Sequence, residues 1–137
     1  MKVKDWMTPD PKSVQANDPM KTAVRLVVEN RIRHLPVVMG DSLVGIISDR
    51  DLKRAMPSIV AGATAEEYQS FMERTTIDQV MTADPLACAP EDELVDVVRQ
   101  FCENKVGAMP VVDGDRLVGI VTQTDMMQAF LALLESQ

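Results

Sequence analysis

The sequence predicts an α+β fold made of two pseudo-symmetric β-α-β-β-α units. Residues 36–51 lie over residues 110–125 without a gap at an offset of 74, and ten of the 16 positions are identical. Met7-Thr8 falls on Met81-Thr82, and Asp10-Pro11 on Asp84-Pro85, at the same offset. In each copy, an apolar stripe at helical spacing precedes two short apolar runs joined by a tight Gly-Asp turn. A repeat present twice is no solenoid array, which needs three or more units. It reads as two copies of one small unit packed face to face, so a cleft formed by one copy should recur in the other.

Each copy opens on a short extended piece, Lys12 to Ala16 and then Leu86 to Ala89. The helix that follows shows its apolar positions in the second copy as Leu94, Val97, Val98, Phe101 and Cys102, which is the i, i+3, i+4, i+7, i+8 pattern of one buried face. In the first copy Asp18-Pro19 supplies an N-cap and a proline at the first helical position. Leu35 to Val38 and Leu43 to Ile47 then form a hairpin, and Asp113-Gly114 marks the equivalent turn. A last helix opens at Ser48 and at Thr122, and Pro57 ends the first of these. The domains expected are therefore 1–60 and 77–137, joined by a linker over 61–76. Within the linker, Thr64-Ala65-Glu66-Glu67 is a capping box that opens a short helix to about Arg74.

Each copy of about 60 residues would bury only about 60% of its extended-chain surface by itself, so the two are expected to share a core. A net charge of −7 argues against nucleic-acid binding, where neutralising phosphate supplies most of the affinity. No apolar run reaches the ~18 residues of a membrane span, and the start has no apolar signal stretch. The expected location is cytoplasmic. Cys88 and Cys102 align with Val14 and Val28 and are expected to be small buried hydrophobes. With one histidine and no Cys-x-x-Cys, no metal site is expected. The last helix is apolar beyond one face, through Met126, Met127, Phe130, Leu131, Leu133 and Leu134. Such a helix is covered on more than one side, either by its own core or, as expected here, by a second copy in a homodimer.

The segment Gly45-Ile46-Ile47-Ser48-Asp49-Arg50-Asp51 recurs as Gly119-Ile120-Val121-Thr122-Gln123-Thr124-Asp125. Ser/Thr-x-x-Asp at a strand-to-helix junction is a capping box, and as a pattern that reading suffices. The same geometry also suits a ligand. Helix-terminal N–H groups attract anions, and an ionised Asp51 or Asp125 can accept both hydroxyls of a ribose. Gly45 and Gly119 permit close approach of a ligand or of another backbone.

With His34-Leu35-Pro36-Val37-Val38 and the two Met-Thr steps, this duplicated motif resembles a tandem pair of CBS domains, a Bateman module. Ile32 to Val38 and Ser48 to Lys53 look like the CBS pair of acetoin-utilisation regulatory proteins. The resemblance implies a regulatory module with no enzyme activity and no required cofactor, binding AMP, ADP, ATP or S-adenosylmethionine in the clefts between the paired domains. It places the ribose on Asp51 and Asp125, and Ser48 and Thr122 at the ribose or phosphate. It also puts Ser13 at the ligand, and Arg33 and His34 at phosphates. Adenine is expected between Val14 and Leu35, with Arg50 near any phosphate and Thr124 in its place in the second copy.

The second copy has Ala87, Gly107, Ala108 and Thr124 where the first has Ser13, Arg33, His34 and Arg50. Lys53 and Arg54 likewise give way to Met127 and Gln128, and are read as a solvated helix face. On an acidic protein a local cluster of cations draws an anionic ligand, so the first copy is expected to be the phosphate-binding one. Two other readings compete with the sensor. One is a ligand-free dimerisation module whose motifs are caps only. The other is an enzyme, disfavoured because the motif carboxylates lie in separate copies and no Gly-x-Gly-x-x-Gly or Walker fingerprint is present.

Overall fold

A computed structural model describes residues 1–58 and 60–137. Strands β1 (Thr8–Pro9) and β2 (Val14–Gln15) precede helix α1 (Met20–Asn30). The hairpin β3 (His34–Met39) and β4 (Ser42–Ser48) leads into α2 (Asp49–Ala55). After α3 (Ala65–Arg74) and β5 (Thr82–Ala83) come α4 (Leu94–Asn104), the hairpin β6 (Ala108–Asp113) and β7 (Arg116–Thr122), and α5 (Gln123–Glu135). The α+β repeat is thus present in both copies. One difference is that the second copy's leading extended piece makes only a single parallel bridge, Cys88 to Val111, where the first has a two-residue strand.

Two compact units form, and each takes a segment from the other repeat. One unit comprises residues 12–84; the other comprises 1–11 with 85–137. In the 12–84 unit, β2 pairs parallel to β3, β3 antiparallel to β4, and β4 antiparallel to β5. Its core holds Val14, Met20, Ala23, Leu35, Val37, Ile47, Leu52 and Ile77. The linker helix α3 packs on α1, and Phe71 reaches this core. In the other unit β6 pairs with β7, and β1 adds to the far edge of β7. Val3, Leu94, Val97, Phe101, Met109, Val111, Val121 and Met126 form its core.

The glycines of the repeat explain how the exchanged strands fit. Gly40 and Gly114 open the two-residue hairpin loops with φ of +64° and +66°, a region other residues enter at a cost. Gly45 lies between Val37 and Ala83 in the ladder, and a Cβ there would stand 2.9 Å from Thr82 O. Gly119 stands in the same relation to Val111, Pro9 and Thr8 O. Of the two approaches these glycines allow, the one observed is another backbone. The Met-Thr step is its partner, since Met81 and Met7 lay their sulfurs over Gly45 and Gly119.

Two local expectations are corrected, at the start of α1 and at Cys102, and a third, the burial of Cys88, holds. Asp18 does not cap α1: its carboxylate accepts from Gln15 N at 3.1 Å, and the helix starts at Met20 after Pro19. Asp92 does the same with Ala89 N at 2.9 Å, so the repeat uses this aspartate to fix a turn before the helix. Cys88 is buried, and burial pushes its thiol up to about 12. Cys102, however, is exposed, as is its counterpart Val28. Both sit just beyond the rim of the buried helical face set by Ala23 in α1 and by Val97 and Phe101 in α4.

Candidate functional site

Both strand-to-helix junctions form complete capping boxes. Ser48 N and Oγ donate to Asp51 Oδ2 at 2.9 and 3.0 Å, and Asp51 N donates to Ser48 Oγ at 3.1 Å. Thr122 N and Oγ1 donate to Asp125 Oδ2 at 2.8 and 3.1 Å, and Asp125 N donates back at 3.3 Å. The purely structural reading of the motif is therefore realised in full. It uses one carboxylate oxygen only: among the described residues no hydrogen bond reaches Oδ1 of Asp51 or Asp125. Both aspartates are half-buried. Each thus keeps an acceptor oxygen, fixed in direction by the bonds to its twin.

Strand register assigns the neighbouring side chains to faces. Leu35 pairs with Ile47, and both enter the core of the 12–84 unit with Val14 and Val37. Directly paired residues share a face and successive ones alternate. His34 with Ser48, and Pro36 with Ile46, therefore line the opposite face. In the other unit the same face carries Ala108 with Thr122 and Pro110 with Ile120. The residues expected at adenine, Val14 and Leu35, lie on the core face. Leu35 is wholly buried and Val14 is 3% exposed, so neither offers side-chain surface to a ligand in this conformation. On the opposite face Pro36 is equally buried, and Ile46 beside it is half-buried.

The other expected residues separate into two groups. His34 is half-buried beside Ser48, and the Arg33 carbonyl accepts from Asp49 N at 2.9 Å, which ties the start of β3 to the start of α2. Burial holds the His34 imidazole below its ordinary pKa, outweighing Asp49 and Asp51, which favour its charged form; Arg33 adds to the lowering. Ser13 is half-buried one residue ahead of β2. The side chains of Arg33 and Arg50, and Thr124 in α5, are exposed, and among the described residues no hydrogen bond or ion pair joins them to the aspartates. Arg31 and Lys105, the cation kept in both copies, have a structural explanation. Each caps its helix in the left-handed region, φ 52° and 53°, where a positive charge meets the negative end of the helix dipole.

Two units of one α+β topology, each with a capped carboxylate at its strand-to-helix junction, define a tandem-domain module. The chain belongs to the CBS domain family, which matches residues 3–58 and 77–132. It is similar to CBSX2 of Arabidopsis thaliana, whose structure in complex with AMP superposes with a TM-score of 0.83 at 30% identity, covering 96% of this chain and 97% of that one. AcuB from Vibrio cholerae, described as an acetoin utilization protein, is similar with a TM-score of 0.80 at 32% identity over 98% and 93%. The CBS pair of MJ0100 in complex with 5′-methylthioadenosine and S-adenosyl-L-methionine gives 0.77 at 26% identity over 95% and 99%. The chain spans 93% of a CBS domain-containing protein of Dictyostelium discoideum at 28% identity, but 46–64% of three other curated relatives. Among the described residues no helix is long and apolar enough to cross a membrane.

Proposed function

We propose that the protein is a regulatory module binding an adenosyl ligand, AMP, ADP, ATP or S-adenosylmethionine, at its two capped junctions and signalling the energy or methyl-donor state to a partner. The observation that carries this is the divided use of each aspartate, with Oδ2 in the cap and Oδ1 left for a ribose hydroxyl. The AMP complex of CBSX2 and the S-adenosyl-L-methionine complex of MJ0100 support the ligand class. The reading assigns no reaction to the chain and requires no cofactor. It keeps 1–60 and 77–137 as the two repeats with 61–76 between them, and a cytoplasmic location, although a relative of this pair is chloroplastic. The completeness of both capping boxes favours a second reading, a ligand-free interaction module.

Calorimetry with AMP, ATP and S-adenosylmethionine separates the two. In the first reading Asp51→Ala and Asp125→Ala each weaken binding, by about tenfold to a hundredfold for loss of hydrogen bonds to a charged acceptor. Asp51→Ala is expected to weaken the phosphorylated ligands more, because Arg33, His34 and Arg50 lie in that repeat. Asp51→Asn keeps an oxygen for the cap and separates lost charge from lost folding. Absence of binding by all three ligands at millimolar concentration supports the second reading.

The homodimer belongs to the same proposal. Met126 and Ala129 of α5 are buried, while Met127, Phe130, Leu131 and Leu134 are 64, 52, 54 and 50% exposed. These four follow i, i+3, i+4, i+7, a second apolar stripe suited to packing another helix. Light scattering is expected to give a dimer for the wild type and a monomer for Phe130→Asp; an unchanged mass in the variant removes α5 from the interface.

A further inference from the structure

We infer that His34 ties phosphate recognition in the 12–84 unit to proton uptake: a phosphorylated adenosyl ligand holds its imidazole protonated, and an unphosphorylated one does not. This rests on the adenosyl reading above and adds to it a regulation by pH confined to one of the two sites. The geometry supporting it is the sheet face shared by His34 and Ser48, directly paired across β3 and β4, with Asp51 bonded to Ser48.

Charged groups of both signs surround the imidazole. Arg33 adjoins it just ahead of β3, β4 contributes only the neutral Ser48, and α2 contributes Asp49 and Asp51. Asp51 already receives two hydrogen bonds on Oδ2, which draws its charge toward the cap. Half-burial is the largest influence and lowers the pKa of the imidazole, which favours its neutral form in the free protein. A phosphate group brings about −1.5 to −2 charges at pH 7. Set against Ser48, that charge would exceed the contribution of either aspartate and draw a proton onto the ring. Adenosine brings no charge, and S-adenosylmethionine is a net cation whose carboxylate is offset by its own ammonium and sulfonium, so neither would do so. The other unit has Ala108 at this place, paired with Thr122, and would bind without the linkage.

The coupling is reciprocal. If a phosphate favours the imidazolium, lowering the pH from 8 toward 6 must strengthen phosphate binding at this site relative to a variant without the imidazole. Comparing each ligand in wild type and His34→Gln cancels the ligand's own titration.

His34 is the chain's sole histidine, so NMR of a tag-free protein follows its imidazole without ambiguity. The resonance is expected to titrate below the usual histidine pKa in the free protein. With saturating AMP its pKa should rise by about one unit, a tenfold change in the protonation equilibrium; with adenosine it should stay. The affinity ratio of wild type to His34→Gln for AMP should grow by up to about tenfold between pH 8 and pH 6. AMP that shifts the Ser48–Asp51 amides while the His34 pKa stays put would overturn this inference and leave the adenosyl reading standing. Amide shifts confined to Thr122–Asp125 would do the same. If neither AMP nor adenosine perturbs either junction, the adenosyl reading fails and the inference fails with it.

Discussion

Deleting residues 1–11 is expected to unfold the unit that contains residues 85–137, the repeat farther along the chain, before it disturbs the repeat that follows the deletion. Val3 is wholly buried in that unit's core, with Trp6 and Met7 packed against it. Val3 N and Lys4 N donate to Asp92 O and Pro90 O at 3.0 Å, and Leu94 N donates to Met1 O at 2.9 Å. Strand β1 pairs with β7 at Thr8–Ile120 and Pro9–Gly119. Burying one valine contributes about 1.5–3 kcal/mol, and each backbone hydrogen bond adds about 0.5–1.5 kcal/mol net. Their sum approaches the roughly 5–15 kcal/mol that stabilises a whole domain. The ion pairs Lys2–Glu93 and Lys4–Glu91 are exposed and add little by comparison. Hydrogen exchange should show amides of β6 and β7 losing protection while β3 and β4 retain theirs. Equal loss in both hairpins, or loss in β3 and β4 first, would contradict the segment exchange.

Gly45→Ala should be more damaging than the same change at Gly119, at about 2–3 kcal/mol of stability by denaturant titration. The new Cβ would lie 2.5 Å from Met81 Sδ and 2.9 Å from Thr82 O. The methionine can rotate away, but the carbonyl belongs to β5 and its displacement would break the pairing of Ala83 with Gly45. Gly119→Ala is expected to cost less, because its nearest backbone atom, Thr8 O, is 3.1 Å away. A Gly45→Ala protein as stable as the wild type would mean that β5 is not held against β4 in solution.

Much of this fold is legible along the chain because it depends on local chemistry. The 74-residue repeat, the helical stripe from Leu94 to Phe101, the Gly-Asp hairpin loops and the Ser/Thr-x-x-Asp caps each act over a few residues. The linker helix is read the same way: Thr64 accepts from Glu67 N at 3.0 Å as the spacing requires. The misreadings arise where local signals have more than one use. Asp18 before a proline suits a helix cap, yet its carboxylate turns back to Gln15 N, a choice set by the position of β2 beside β3. Cys102 stands at the margin of an apolar stripe, and its exposure depends on how far round the helix the sheet reaches.

The candidate site divides in the same way. Residue order alone identifies Asp51 and Asp125, because a capping box is closed by four consecutive residues and needs no distant partner. It also shows that cations occupy only the first repeat's junction. Side-chain direction needs the ladder: pairing Leu35 with Ile47 sends those two into the core and turns His34, Pro36, Ile46 and Ser48 to the other face. Whether Gly45 and Gly119 admit a ligand or a strand is likewise settled by β5 and β1. Those strands come from segments that sequence order assigns to the neighbouring repeat. Hydrogen bonding along a sheet edge selects its partner by geometry, and chain order does not record which edge a short segment will reach.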